Sequence, residues 1–229
     1  MERVRIREYR SEDYHVVREL YTAGFTEKAN SLFVHVLTRT WVRLTLLASL
    51  LGALVLSGSV LTSLVSAVLL LSATRLATGL LLDGGIQLGL REDLQDIGAS
   101  YMTPGRLARF WVAEDSGAPG TASVVVGTVG VLPCVTQPGA WELKRISVRR
   151  DYRGRGVARA LCGAAVGFAA RGGARRLVLY TSMLQGDAQR LYLRLGFRKV
   201  EEFVWPSLAA RLIHFTVFKY GYEVPPRDA

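Results

Sequence analysis

A hydrophobic run in the first third of the chain limits what the protein can fold into. From Leu44 to Thr74 there are 31 consecutive residues without a charge, bounded by Arg43 and Arg75. That length exceeds the roughly 20 apolar residues that a helix needs to cross a bilayer core. A domain of this size cannot bury all faces of so long an apolar segment. The run therefore predicts a membrane-embedded segment rather than a buried core helix.

The sequence on either side of the run predicts one α/β domain that the run interrupts. Residues 3–9, RVRIREY, alternate arginine with apolar residues, as in a strand with one face on a core. An amphipathic helix follows, and a polar helix over LREDLQDIGASYM resumes after the run. The predicted strands of the second half span 108–115, 123–133, 140–148 and 175–182, with two more near 197–204 and 212–219, and helices span 157–171 and 187–196.

This element order divides the chain into four predicted parts. They are a first strand and helix (1–40), a hydrophobic insert (41–82), the main core (83–222) and a tail (223–229). If the first strand joins the sheet of the core, both ends of the insert lie on one side of the membrane.

The insert must then enter the membrane and return. Serine and glycine at 57–59 predict the reversal, because both residues favour turns. The arm from Leu44 to Ser57 would be about 21 Å long as a helix, which is shorter than the roughly 30 Å hydrocarbon core. We therefore predict a re-entrant hairpin rather than two full spans. Its flanking arginines favour the cytoplasmic side for both ends, and they are Arg39, Arg43, Arg75 and Arg91.

The charge of the chain is strongly positive and unevenly distributed. The formal net charge is +10, and between Lys144 and Arg176 ten basic residues face one acid, Asp151. Such a region favours an anionic partner without naming it. The two cysteines, Cys134 and Cys162, are too few for a cysteine-rich zinc site or a disulfide framework, so we expect both to fill the core.

The most basic stretch coincides with a predicted turn from strand to helix. Residues 149–161 read RRDYRGRGVARAL, with five arginines and two glycines ahead of the helix. A glycine-rich turn exposes backbone N–H groups at the positive end of the helix dipole, where phosphate oxygens bind. Gly154 and Gly156 would let the backbone approach the anion, and Arg153 and Arg155 would add charge.

Two other anion-binding sites fit this stretch less well. A dinucleotide-binding fingerprint needs a third glycine and an acid about 20 residues on, but no acid occurs between Asp151 and Asp187. A nucleic-acid surface would be accompanied by a helix-turn-helix, zinc finger or aromatic RNA-binding motif, and the sequence has none. We therefore expect no nucleic-acid partner.

Three motifs in order resemble the GNAT superfamily of acetyltransferases. RGRGVA, Arg153 to Ala158, fits the R/Q-x-x-G-x-G/A loop that holds the pyrophosphate of acetyl-CoA. LKRISV resembles the strand that pairs with the pantetheine arm, and AQRLYLRLGF matches A-x-x-L-Y-x-x-x-G-F. The resemblance implies a GNAT acyl-CoA N-acyltransferase fold with a mixed sheet and acetyl-CoA as acetyl donor. The implied cofactor-binding residues are Ile146, Val148, Arg153, Gly154, Arg155, Gly156, Val157 and Ala158.

Within GNAT, the whole chain looks like the camello-like N-acetyltransferases. The first strand and helix, a hydrophobic insert of about thirty residues, and a core ending in an IHF strand carry this resemblance. That group includes cysteine S-conjugate and aspartate N-acetyltransferases of the endoplasmic reticulum. The resemblance implies a membrane enzyme of that compartment whose partners are the lipid bilayer and a small amine. A protein-lysine acetyltransferase and a catalytically weak CoA-binding protein remain alternatives, and the oligomeric state stays open.

Two residues are the candidates for catalysis. Acetyl transfer to an amine needs a neutral nucleophile, stabilisation of the developing oxyanion and a proton for the leaving thiolate. By resemblance, Tyr192 reaches the CoA sulfur and supplies that proton; a purely packing role is the alternative. Glu142 lies where several GNAT enzymes carry a carboxylate base acting through water, and an exposed strand residue is the equal alternative. We expect His214 to pack in a strand, and the histidines supply no metal site.

Overall fold

The computed structural model describes residues 4–117, 123–135 and 137–224. Their strands are β1 Val4–Glu8, β2 Arg109–Asp115, β3 Val124–Pro133, β4 Ala140–Val148, β5 Arg176–Ser182, β6 Arg198–Val204 and β7 Thr216–Glu223. These strands form one mixed sheet in the order β1-β2-β3-β4-β5-β7-β6. Neighbouring strands are antiparallel except β4 and β5, which are parallel. The predicted mixed α/β sheet is therefore confirmed.

Eight α-helices connect these strands within the described part of the chain. In chain order they are α1 Tyr14–Thr26, α2 Ala29–Leu37, α3 Thr40–Ser57, α4 Val60–Arg91, α5 Ile97–Tyr101, α6 Val157–Arg171, α7 Gly186–Arg194 and α8 Leu208–Ile213.

The helices cover both faces of the sheet. Along β2, Trp111 and Ala113 face the core beneath α6, whereas Phe110 and Val112 face a second core formed with α1, α4 and α5. This alternation follows from the two-residue period of a strand. β1 pairs with β2 along its whole length, so the N-terminal strand belongs to the same sheet as the rest of the domain.

The hydrophobic run forms an antiparallel helix pair. α3 ends at Ser57, Gly58 has a left-handed φ of 63°, and α4 begins at Val60, so the predicted reversal at 57–59 is confirmed. Both helices are long and apolar enough to cross a membrane. In the most apolar 18-residue stretch of each helix, 6% of the residues are buried. α3 begins four residues before the predicted arm. The added turn lengthens the arm to about 27 Å, by the usual rise of a helix.

Two predicted elements are wrong in extent. The polar helix over LREDLQDIGASYM does not exist as one element, because α4 continues to Arg91 and α5 is separate. The side chain of Asp96 caps α5 by accepting from the N–H of Ala99 at 2.8 Å. Helices α2 and α8 were not predicted. Because α8 occupies residues 208–213, β7 begins at Thr216 rather than at the predicted residue 212. The side-chain oxygen of Ser207 caps α8 by accepting from the N–H of Ala210 at 3.1 Å.

Two predicted segments lie partly outside the described residues. The first predicted strand began at Arg3, and β1 is described from Val4. Most of the predicted tail, 225–229, is likewise outside. The predicted boundary between insert and core at residue 82 falls within α4, which runs without a break through it.

Candidate active site

The site begins where the two parallel strands at the centre of the sheet separate. β4 pairs with β5 over Ala140–Glu142 only, and the rest of both strands diverges. On its other side, β4 carries a bulge at which the register with β3 shifts and Arg145 adopts a φ of 55°. The gap between the strands opens into a cleft of about 780 Å³. A cleft of this size is typical of small-molecule sites.

The edge of β4 that faces this gap carries the predicted pantetheine contacts. The N–H of Arg149 donates to the carbonyl of Val126 in β3 at 2.8 Å. The backbone N–H and C=O groups of successive strand residues point to opposite edges of the strand. Those of Val148 and Ile146 therefore point away from β3 and towards β5, from which β4 has separated. Ile146 also lines the cleft. Their N–H groups are therefore placed for an extended ligand that would lie between the strands.

The predicted phosphate loop connects β4 to α6. Gly154 and Gly156 have φ angles of 76° and 82°. This is the left-handed region that favours glycine. The N–H of Ala160 bonds the carbonyl of Gly156 at 3.0 Å. The N–H groups of Val157 and Ala158 therefore precede the hydrogen-bond ladder of α6 and point out of its positive end, a cradle that fits the diphosphate of a CoA ester.

The two arginines of the loop differ in what they contact. Both terminal nitrogens of Arg153 bond the carboxylate of Glu27 at 2.6 and 3.0 Å, and its Nε donates to the carbonyl of Val148 at 3.0 Å. Its guanidinium thus ties the loop to the end of α1. The guanidinium of Arg155 stacks 5.0 Å from the ring centre of Tyr152 and is exposed. Of the two, Arg155 is the better placed to meet a phosphate.

Tyr192 lies on α7 and forms part of the cleft wall. Its side chain is 3% exposed, and its ring packs 5.9 Å from the rings of both Phe197 and Tyr220. Burial raises the pKa of Tyr192, so its hydroxyl keeps its proton over the working range of an enzyme. A proton donor at this position is therefore protonated throughout that pH range.

Glu142 is the last β4 residue paired with β5, opposite Val178, and it also lines the cleft. Burial raises the pKa of Glu142, although Lys144 and Arg145 oppose that rise. A carboxylate whose pKa is raised towards neutrality is a better proton acceptor than an exposed one. The structure thus brings both predicted catalytic residues to one cleft.

A buried polar cluster beside the cleft was not predicted. Asp93 accepts from Nε of Arg145 at 3.0 Å and from its terminal nitrogen Nη2, and it also accepts from the hydroxyl of Tyr101. The Arg145 guanidinium lies 5.0 Å from the ring centre of Tyr21, which lines the cleft. Burial favours the protonated form of Asp93, but the bonds from Arg145 overcome it and lower the pKa of that carboxyl.

We expect Asp93→Asn to destabilise the domain strongly. The change removes the buried counter-charge of Arg145 and leaves only the half-exposed carboxylate of Glu92, 3.1 Å from Nη2, to balance it. We expect a cost of about 3 kcal/mol, which lowers the melting temperature by roughly 6 to 12 °C in a chain of this length. Asp187→Asn is the matched control, because Asp187 forms an exposed ion pair with Arg190. Such a pair contributes about 1 kcal/mol at most. Thermal denaturation of the two variants measures the difference; equal melting temperatures would show that the Arg145 cluster does not stabilise the fold.

The cysteines and His214 are the remaining candidates, and of these Cys134 lies in the wall of the cleft. Cys134 and Cys162 are 8% and 1% exposed, which confirms that they fill the core. Burial raises the pKa of the Cys162 thiol to about 12, so it is not a reactive thiolate. The packed-strand prediction for His214 is wrong, because His214 is exposed and ends α8 with a φ of 54°. Within the described residues no group of three or more His, Cys, Asp or Glu could hold a metal ion.

Comparison with known proteins identifies the family. Residues 88–197 match the model of the acetyltransferase (GNAT) family. The probable N-acetyltransferase camello of Xenopus tropicalis is 34% identical over 98% of this chain and 99% of its own length. N-acetyltransferase 8B of Homo sapiens is 34% identical over 98% of this chain and 96% of its own length.

A solved structure supports the fold. The GCN5-related N-acetyltransferase from Kribbella flavida superposes with a TM-score of 0.54 at 18% identity and covers 97% of this chain and 98% of its own. Its likeness concerns the architecture alone. The near full-length relatives carry the assignment further: the chain belongs to the GNAT acetyltransferases and, within them, to the camello-like N-acetyltransferases of family 8.

Proposed function

We propose that the protein is a membrane-bound N-acetyltransferase that moves the acetyl group of acetyl-CoA to the amine of a small amino acid or cysteine conjugate. The observation that carries this proposal is the cleft where β4 and β5 separate. The free edge of β4, Glu142 and Tyr192 meet at this cleft, and β4 leads directly into the phosphate loop before α6. GNAT enzymes use acetyl-CoA, and the cradle described above has the shape and polarity for it.

The residues of the chain divide the work of binding and proton transfer. Bound acetyl-CoA supplies a thioester whose acetyl carbon an amine can attack. The N–H groups at the start of α6 hold phosphate oxygens, and those of Ile146 and Val148 orient the arm between the strands. Glu142 takes the proton that the amine must lose, directly or through water. The hydroxyl of Tyr192 then donates a proton to the leaving sulfur.

The shape of the cleft favours a small acceptor over a peptide. It is bounded on several sides by residues from α1, α4, α7 and α8 rather than lying open along the sheet. Acetyl-CoA turnover with a panel of free amino acids, cysteine S-conjugates and lysine peptides tests the proposal. Turnover confined to peptides would favour a protein-lysine acetyltransferase, and no turnover with any acceptor would favour a weak CoA-binding protein.

We expect Glu142→Gln to lower kcat roughly tenfold, below the usual range of about 10² to 10⁴ because water can still take up the proton. A base acts only when deprotonated, so the wild-type rate should fall as the pH drops through the Glu142 pKa. Because burial raises that pKa, the fall begins at a higher pH than for an exposed glutamate. Rate profiles against pH for both proteins check this, and an acidic limb that persists unchanged in Glu142→Gln would rule out this base.

Membrane attachment is proposed to rest on the hairpin of α3 and α4. Its arms expose many large apolar side chains, including Val55 at 81% and Leu56 at 89%. Apolar exposure on this scale is unfavourable in water. The endoplasmic reticulum is proposed from the resemblance to camello-like enzymes of that compartment. The arginines at the base of the hairpin favour its cytoplasmic face.

We expect both ends of the chain to lie on one side of the membrane, since β1 shares a sheet with β2 and the hairpin returns to its starting side. Epitope tags at residue 1 and residue 229 in sealed microsomes should therefore be cut together by added protease. Cleavage of one tag with protection of the other would contradict the hairpin and indicate a single span.

A further inference from the structure

Beside the base of the hairpin lies an exposed apolar surface of four residues, of which only Trp205 also lines the cleft. We call it the α8 surface and define it as Trp41, Trp205, Leu208 and Leu212. These side chains are 49%, 42%, 79% and 64% exposed, respectively. Leu208 and Leu212 are four residues apart and therefore share one face of α8. The opposite face is anchored, because Ala210 and Ile213 are buried.

Contacts with α2 and α3 fix the position of this surface. The indole Nε1 of Trp41, on α3, donates to the carbonyl of Leu212 at 3.0 Å. Ile213 packs in one cluster with Val42 of α3 and Leu32 of α2. Trp41 precedes the uncharged run by three residues. At the rise of a helix, α8 therefore lies about 4.5 Å along α3 from the point where the uncharged run begins.

The residue types at this level match the boundary between water and lipid. Tryptophan is enriched at membrane interfaces, where its ring is half in contact with lipid and half with polar groups. Arg43 and Arg211 are exposed beside these apolar residues and can reach anionic headgroups. Four side chains are far fewer than the roughly 20 to 30 residues per side of a stable protein interface. The surface is small by itself but continuous with the exposed apolar arms of the hairpin.

We propose that the α8 surface lies in the headgroup region of a phospholipid bilayer and is a second membrane-contact element of the protein. This inference rests on the proposed insertion of the hairpin. Trp205, Ala209, Ala210 and Ile213 also line the cleft, so contact of α8 with lipid places this end of the cleft at the membrane surface. The hairpin anchors the chain, and α8 fixes how the catalytic domain is oriented on the bilayer.

Spin labels on single introduced cysteines test the proposal in the full-length protein. Both native cysteines are buried, so surface labels will dominate the signal. Leu208→Cys and Leu212→Cys report on the α8 surface. Leu56→Cys near the tip of the hairpin is the reference for insertion, and Arg171→Cys is the aqueous reference, because α6 packs on the opposite face of the sheet from α1 and α4.

The proteins are reconstituted in vesicles of phosphatidylcholine and phosphatidylserine, and accessibility to oxygen is compared with accessibility to a water-soluble nickel chelate. We expect the ratio at positions 208 and 212 to shift from the value at 171 towards the value at 56. A ratio equal to that at 171, with position 56 inserted, overturns the α8 contact and leaves the hairpin intact. Protection from both reagents together with dipolar broadening between labels would mean that a second copy covers the surface, which also overturns it.

Acetyl transfer by the same labelled proteins separates this inference from the proposed activity. The four labelled positions, 56, 171, 208 and 212, are exposed and lie outside the cleft. Turnover should therefore stay at the wild-type level in all four variants. Turnover with aqueous ratios at 208 and 212 leaves the enzyme intact and removes the lipid contact. An aqueous ratio at 56 as well removes the membrane insertion on which the inference rests.

Discussion

Replacing Tyr192 with phenylalanine is expected to lower kcat about 10²-fold or more while the KM for acetyl-CoA changes little. Phenylalanine keeps the ring that packs against Phe197 and Tyr220 and removes only the hydroxyl. The transition state then lacks a proton for the leaving sulfur, whereas binding of the substrate is largely unaffected. Steady-state kinetics with both substrates varied measure the two parameters separately.

Tyr220→Phe is the matched control for this experiment. Tyr220 is also 3% exposed and packs on the same ring, but it is not part of the cleft wall. Loss of a hydroxyl from the same aromatic cluster should therefore leave kcat near the wild-type value. Full activity in Tyr192→Phe would make Tyr192 a packing residue and leave water as the proton donor.

The direction of the Tyr192 pKa bears on how this acid works. Burial raises it, which by itself makes the phenol a weaker acid towards a thiolate in water. The leaving thiolate would form in the same desolvated cleft, so its own pKa is raised by the same cause. The proton transfer is then decided by the difference between two groups in one environment. Because burial raises the pKa of Tyr192, its loss of a proton should produce no fall in activity at alkaline pH.

Local sequence was sufficient for the elements whose determinants are local. Gly154 and Gly156 mark the phosphate loop because the backbone there needs left-handed φ angles, and α6 begins where the apolar period begins. The reversal at Gly58 was visible for the same reason. The alternation of RVRIREY predicted a strand with one face on a core. Its partner strand β2 lies about a hundred residues away, and no local pattern marks that pairing.

The features that were missed depend on partners distant in the chain. Arg153 could be expected to face a phosphate, but its bonding partner Glu27 lies 126 residues away. Asp93 was predicted to lie in a polar helix, whereas its carboxylate accepts hydrogen bonds from Arg145, 52 residues further along the chain. The bulge that turns Arg145 towards Asp93 arises from register with β3, and no local pattern marks it. Tertiary contacts of this kind override local propensity.

The phosphate loop leads to the second large expected effect. The double variant Gly154→Val and Gly156→Val should raise the KM for acetyl-CoA about 10²-fold or more. Valine is strained at these φ angles, so the backbone of the loop must change conformation. Its N–H groups then no longer point towards the phosphate oxygens. Hydrogen bonds to charged groups contribute about 1.5 to 3 kcal/mol each, and two lost bonds therefore correspond to at least about a hundredfold.

Gly173→Val separates loss of binding from loss of stability. Gly173 has a φ of 78° with no atom within 4 Å of an added Cβ, so it carries the same backbone strain in the turn between α6 and β5. We expect it to lower the melting temperature while the KM for acetyl-CoA stays at the wild-type value. The double loop variant should lose affinity beyond any loss of stability, as measured by titration with CoA of the folded protein. Unchanged affinity in that variant would mean that the arginine-rich turn holds some other anion, and that the pyrophosphate is bound elsewhere.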